Sequence, residues 1–185
     1  MKKTLFSALL LLLFMRASGQ KNQPVAPDMP TDEKTGLISY STVVETEPTL
    51  STQELMARAA KWYKKFYPSV STVITKVDTV NNEIDGKAQF WTYKMLKGNQ
   101  KTQNLMIRYP FVMKFKQGKW KIDITNIKVV ASSDLPLEKL LNSADPNVET
   151  NYAALNDAKT YFENLLDSLK QAMAVPSTEK KSDDW

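Results

Sequence analysis

The sequence predicts an α+β domain of two layers, a five-stranded antiparallel sheet with two helices on one face, in the order β-α-β-β-β-β-α. Three observations lead there. Leu55, Ala59, Trp62 and Phe66 recur at spacings of four, three and four, which places them on one face of a helix. Leu105, Ile107, Tyr109, Phe111, Met113 and Phe115 share one parity, the period of a strand with a single face on a core. From Asn151 to Ala174 the helical period returns in Leu155, Ala158, Phe162, Leu165, Leu166, Leu169 and Met173. One-sided strands and amphipathic helices bury their apolar surfaces by stacking as two layers.

Each element carries its own signals. Leu37–Thr46 is β-branched and partly alternating, so it reads as a strand. Ser51-Thr52-Gln53-Glu54 fits a capping box, and Leu50 with Leu55 fits a hydrophobic staple, so the first helix starts there and Pro68 ends it. Val70–Thr79 is β-branched without a clear facing, and Lys87–Leu96 is a strand containing Phe90, Trp91 and Tyr93. In the Leu105–Phe115 strand Pro110 lacks a backbone donor, which predicts an edge strand or a bulge at that point. Gln117-Gly118 turns the chain into a strand where Trp120, Ile122 and Ile124 alternate with Lys121, Asp123 and Thr125. The parity slips near Asn126, as a bulge causes. Asp134 to Asn147 is a connector with one helical turn at Leu137–Leu141. The four glycines after residue 20 fall at or near strand ends and turns and form no phosphate-cradling cluster.

The flanks read differently. Met1–Gly19 has Lys2-Lys3, an apolar run from Leu5 to Met15, then Arg16-Ala17-Ser18-Gly19, the pattern of a secretory signal peptide. The run is shorter than the ~20 apolar residues that a membrane-spanning helix needs. The expectation is an exported protein, periplasmic, outer-membrane associated or secreted, without a transmembrane segment in the mature chain. Residues 20–35 are polar and carry three prolines, which predicts a flexible leader. Residues 36–175 form the domain, and the charged stretch from Pro176 to Trp185 is expected to be a disordered tail.

Composition excludes several kinds of chemistry. The 185-residue chain has no Cys and no His, so neither catalytic triads nor His- or Cys-based zinc and haem sites can be built, and no cysteine stands after the signal to carry a lipid. No cofactor or metal is implied. The formal charge is +5, but loss of Lys2, Lys3 and Arg16 from the 25 basic residues leaves 22 against 20 acids, a net +2. That is too small a field to imply nucleic acid or an anionic membrane.

Leu50-Ser51, Glu54-Leu55, Arg58-Ala59 and Trp62, with Phe66 one turn on, resemble the "L-S/T-x-x-E-L-Y-x-R-A-x-x-W" helix of one family. Ile84-Asp85-Gly86-Lys87-Ala88 resembles its "I-x-G-K-G/A" strand start, and Gly118-Lys119-Trp120-Lys121 fits its turn and strand. The family is a domain of unknown function with a TATA-binding-protein-like (TBP-like) fold, found in exported proteins of Bacteroidetes. The likeness covers roughly Leu37 to Val130; Met56 stands where Tyr is usual and Ala88 where Gly is common. The resemblance implies the TBP-like fold and brings no catalytic residues. A fold name does not make a DNA-binding protein, and no nucleic acid is expected.

The candidate site is the sheet face away from the helices. Arg108 and Lys114 take the outward parity of their strand, with Lys121, Asp123 and Thr125 beside them, and Lys87, Gln89, Trp91 and Tyr93 share a parity on theirs. If that parity is the open one, Trp91, Tyr93, Arg108 and Lys121 make an aromatic and basic surface suited to a protein or envelope ligand. The bland alternative is that the two aromatics face the helices or merely cover the sheet. Trp62 and Phe66 read as core. Glu83 with Asp85 reads as a solvated pair at a turn, and Asp183-Asp184 with Lys180-Lys181 as a solvated tail. Tyr152 and Tyr161, nine apart on the last helix, define no site by themselves. Two functions remain: a non-enzymatic binding module of the cell envelope, or a carboxylate-dependent hydrolase acting on glycan or cell-wall material, which needs two acids facing each other across a cleft.

Overall fold

The computed structural model describes residues 24–96 and 98–178. The signal-peptide segment, residues 1–19, and the tail charges of residues 180–184 lie outside the described residues.

Strand β1 (Tyr40–Glu45) is followed by helix α1 (Thr52–Phe66) and then by β2 (Ile74–Asp78), β3 (Glu83–Met95), β4 (Lys101–Lys116) and β5 (Lys119–Ile124). Two short strands, β6 (Lys128–Val129) and β7 (Leu135–Pro136), a 3-10 turn at Leu137–Leu141 and helix α2 (Val148–Ala174) complete the chain. The main sheet has the order β1-β5-β4-β3-β2 with every pair antiparallel. The α+β sheet-and-two-helix architecture read from the sequence is therefore the observed one, with β6 and β7 as an added pair beside β4.

Both helices lie on the face lined by Tyr40, Ala88, Ile107, Tyr109, Phe111, Ile122 and Ile124, all buried. Rings dominate the interface. Tyr63 and Tyr67 of the α1 end stack on Phe111, with interplanar angles of 21° and 2°. From α2, Tyr161 stacks on Phe90 at 3.7 Å between centroids and Phe162 tilts against Tyr40 at 4.6 Å. Gly86 lies inside β3 rather than at a turn, directly opposite Phe111, and a Cβ there would fall inside the Phe111 ring. Glycine is required at that position by the ring, not by its backbone angles. Through this layer runs a chain of hydroxyls, Tyr67 to Tyr109 at 3.0 Å and Tyr109 to Tyr161 at 2.8 Å, so the buried phenols satisfy one another.

Several local expectations are corrected. Pro110 sits in the central strand, with unbroken pairing to β3, and neither an edge nor a bulge in its own strand accommodates it. The break is in the neighbour: β5 pairs with β4 from Phe111 onward and β6 resumes at Arg108, so the missing N–H faces the kink at Asn126, whose φ is 52°. The capping box is half formed. Ser51 Oγ accepts from the Glu54 N–H at 3.2 Å, but the Glu54 carboxylate turns away to Arg58 and Ser177. Val70–Thr79 divides into a 3-10 turn at Val70–Thr72 and β2. Glu83 and Asp85, read as a turn, belong to β3.

The leader is also corrected over its described part. Asp32 Oδ1 caps a tight turn by accepting from the Lys34 and Thr35 N–H groups, Thr31 bridges Ile38, and Met29 is buried at 8% exposure. A single apolar side chain and an Asx turn dock this proline-rich stretch, which has no period to betray them.

Two predictions follow from this core. Trp62 is 4% exposed and donates from Nε1 to Ser168 Oγ at 3.0 Å, so Trp62→Ala should cost about 3–5 kcal/mol in denaturant unfolding. Burial raises the pKa of Tyr63, Tyr67 and Tyr109 above 10.0, which keeps the phenols neutral in the fold while unfolded tyrosines ionise near pH 10. The stabilisation is present below that pH and lost above it. The denaturation midpoint should hold between pH 7 and 9 and fall steeply between pH 10 and 11.

Candidate functional site

The open face is built by the opposite parity of the same strands. Its rows follow from the register: Val43, Lys121, Lys114 and Glu83 lie abreast, then Ser41, Asp123, Val112, Asp85 and Lys76, then Pro110 with Lys87, Arg108 with Gln89, and Met106 with Trp91. The near end of this face is a ladder of ion pairs. Lys121 meets Asp123 at 2.9 Å, Lys114 meets Glu83 at 3.0 Å, and Lys76 meets Asp78 at 2.9 Å. Asp123 also accepts from Ser41 Oγ at 2.7 Å. The Lys114 hydrogen bond lowers the Glu83 pKa, while partial desolvation and then the Glu83 charge raise that of Asp85. Glu83 and Asp85 stand side by side on an open sheet face, not opposed across a cleft.

The four residues singled out in the sequence do not form one patch. Trp91 pairs with Met106 and Lys121 with Lys114, eight residues apart on β4, or about 27 Å at the rise of a strand. Arg108 lies next to the Trp91 row, but its Nη1 is held by Asp134 at 3.3 Å. Tyr93 is separated from Trp91 by a bulge. Trp91 and Tyr93 are two residues apart, whereas their partners Met106 and Gln103 are three apart, so β4 carries the extra residue. The buried Thr92 hydroxyl repairs the ladder there by accepting from the Leu105 N–H and donating to the Leu105 carbonyl. Past the bulge Tyr93 lines a cleft of about 370 Å³ with Glu149, Ala153 and Asp157 of α2, and its N–H donates to Asp157 Oδ2 at 2.8 Å. The extra residue shifts the facing of β4, while β3 keeps its alternation, with Trp91 and Tyr93 exposed on either side of the buried Thr92.

What this end of the sheet does present is an apolar arm. β3 and β4 outrun their neighbours, so past the Trp91–Met106 row each strand pairs only with the other, and Trp91 (38%), Tyr93 (45%), Met95 (57%) and Leu96 (47%) are all exposed there. Met95 and Leu96 were not singled out in the sequence; four bulky apolar residues within six, just before the Gly98-Asn99 turn, were the available signal.

A second polar centre was missed. Arg58, on the apolar face of α1, is 8% exposed; its Nε donates to Glu54 at 2.8 Å and its Nη1 to the Met173 carbonyl at 2.7 Å. Glu54 also takes the Ser177 N–H and hydroxyl, and Lys61 Nζ reaches the Ser177 carbonyl. Desolvation opposes the Glu54 charge, but the Arg58 and Ser177 hydrogen bonds outweigh it and bring its pKa down to about 2. The start of the tail is therefore pinned across the α1–α2 end rather than free. Arg58 was legible as a charge on an apolar stripe, three residues after Leu55 and four before Trp62.

Among the described residues no group of three or more His, Cys, Asp or Glu is placed to hold a metal ion, and no helix is long and apolar enough to cross a membrane.

Comparison with known proteins supplies the family. No curated protein matches the chain. A crystal structure of a TBP-like protein from Parabacteroides distasonis superposes with a TM-score of 0.60 at 17% identity, covering 77% of this chain and 96% of that one. A DUF4468 family protein from Bacteroides ovatus gives a TM-score of 0.62 at 15% identity, covering 80% of this chain and 93% of that one. At such identities the likeness is one of fold. The family model matches the segment from β1 to just past β6, so residues 40–130 of this chain are a DUF4468 domain, a domain of unknown function with a TBP-like fold.

Proposed function

We propose that this protein is an exported, non-enzymatic binding module of the bacterial cell envelope that docks a partner on the β3–β4 arm. The observation that carries the reading is the cluster of Trp91, Tyr93, Met95 and Leu96, large apolar side chains left in water at the end of a hairpin that the rest of the sheet does not support. Exposed apolar side chains are ordinary singly, and mark contact surfaces when gathered with aromatics. The ion-pair ladder at the other end supports the same assignment, because Lys121 and Lys114 already have partners within the chain. The non-enzymatic half of the reading draws on the flat placement of Glu83 and Asp85 and on the lack of His and Cys in the sequence.

Two measurements test it. Immobilised wild-type protein should retain a partner from envelope extract that Trp91→Ala/Met95→Ser does not, with thermal midpoints of the two proteins agreeing within about 3 °C, as expected for surface changes. Equal recovery by both would remove the arm from consideration. Mass spectrometry of the secreted or periplasmic protein should find Gln20, or its cyclised form, at the N-terminus; an intact Met1 there would overturn the export part.

A further inference from the structure

At the opposite end of α2 from the arm, the end of β1, the entry to α1, Trp120 of β5 and the last turn of α2 enclose a recess of about 490 Å³. That volume lies within the range of small-molecule pockets. Val44, Leu50, Met173 and Pro176 supply apolar walls. Besides two exposed glutamates, the polar groups around it are donors with few partners of their own. Trp120 is 1% exposed, and its Nε1–H is buried with no hydrogen-bond partner among the described residues. The Thr46 hydroxyl is likewise buried and unpartnered. Arg58 uses Nε and Nη1 within the chain, leaving Nη2 without a partner among the described residues, and Lys170 has only Asp167, at 3.8 Å. A buried N–H normally finds an acceptor, and here two unpartnered buried donors belong to residues that wall one recess beside two cations.

We propose that this recess binds a small monocarboxylate with an apolar body. The carboxylate would lie between Arg58 and Lys170, which match its charge and geometry, and the indole N–H and Thr46 hydroxyl would complete its hydrogen bonding. The apolar walls take the hydrocarbon. Glu45 and Glu47, both exposed, also line the recess, and their charges select against a second negative charge on the ligand, disfavouring phosphates and dicarboxylates. This site is independent of the proposed arm.

Octanoate is a suitable probe, followed by the indole N–H resonance of Trp120 in ¹⁵N-labelled full-length protein. Trp120→Phe assigns that resonance by its loss. Octanoate should shift it saturably, octylamine and 1-octanol should not, and the exposed Lys170→Gln should weaken octanoate at least tenfold while leaving the rest of the spectrum in place. Trp91→Ala should bind octanoate as the wild type does, which separates this outcome from failure of the arm. An unshifted indole at millimolar octanoate overturns the proposal. Equal response to octanol, or unchanged affinity in Lys170→Gln, overturns the carboxylate assignment.

Discussion

Phe111 lying over Gly86 is the contact on which the two-layer arrangement depends. A glycine inside a strand costs on the order of 0.5–1 kcal/mol in chain entropy and offers nothing to pack. Here its bare Cα lets the Phe111 ring drop onto the sheet, and Tyr63 and Tyr67 then stack on the ring. The distance of α1 from the sheet is set by this stack. Because α1 is held close, Trp62 reaches Ser168 of α2, and Arg58 is carried into the interior, where Met173 and Glu54 receive it. With neither cysteine nor bound metal called on in the described region, stacked rings and the three-tyrosine hydroxyl chain hold the layers together.

The architecture was legible in the sequence because burial imposes a period, and β4 and the two helices keep theirs over long runs. What escaped depends on a second piece of chain. Pro110 looked like an edge residue since its missing donor was visible but the kink at Asn126 opposite it belonged to another strand. The Glu54 half of the capping box was competed away by Arg58 and by Ser177, 123 positions later. Met29 gave no sign of burial because one apolar residue has no period.

The candidate surface was legible in its aromatics and illegible in its charges. Trp91 and Tyr93 are exposed, as their open parity allowed, while the extra residue that shifts β4 opposite them left no trace in the alternation of β3. Lys121 had its partner in view, since Asp123 lies two residues along β5 on the same face, whereas Arg108 is held by Asp134 from the segment before β7, a pairing that its own strand does not show. The exposed pairs add little stability each. Their larger effect is on the character of the face, which is charge-neutralised over β5 and the near half of β4, carries the lone exposed Val43 on β1, and gathers its aromatic and apolar side chains at the arm. The recess was invisible for a related reason: β1, β5 and the two helices each contribute only a few residues to it.

Helix α2 gives these two ends of the molecule a common frame. Its first turns flank the arm at Glu149 and Ala153, and its last turns close the recess at Lys170 and Met173. With a rise of ~1.5 Å per residue, the centres of the two stations are about 31 Å apart along one uninterrupted rod. A small molecule held in the recess would not reach the arm. Coupling through the helix itself would require that rod to slide or tilt against the ring stack beneath it, a motion that the close fit of Phe90 on Tyr161 resists. A tightly seated helix of this kind would leave its two ends mechanically separate.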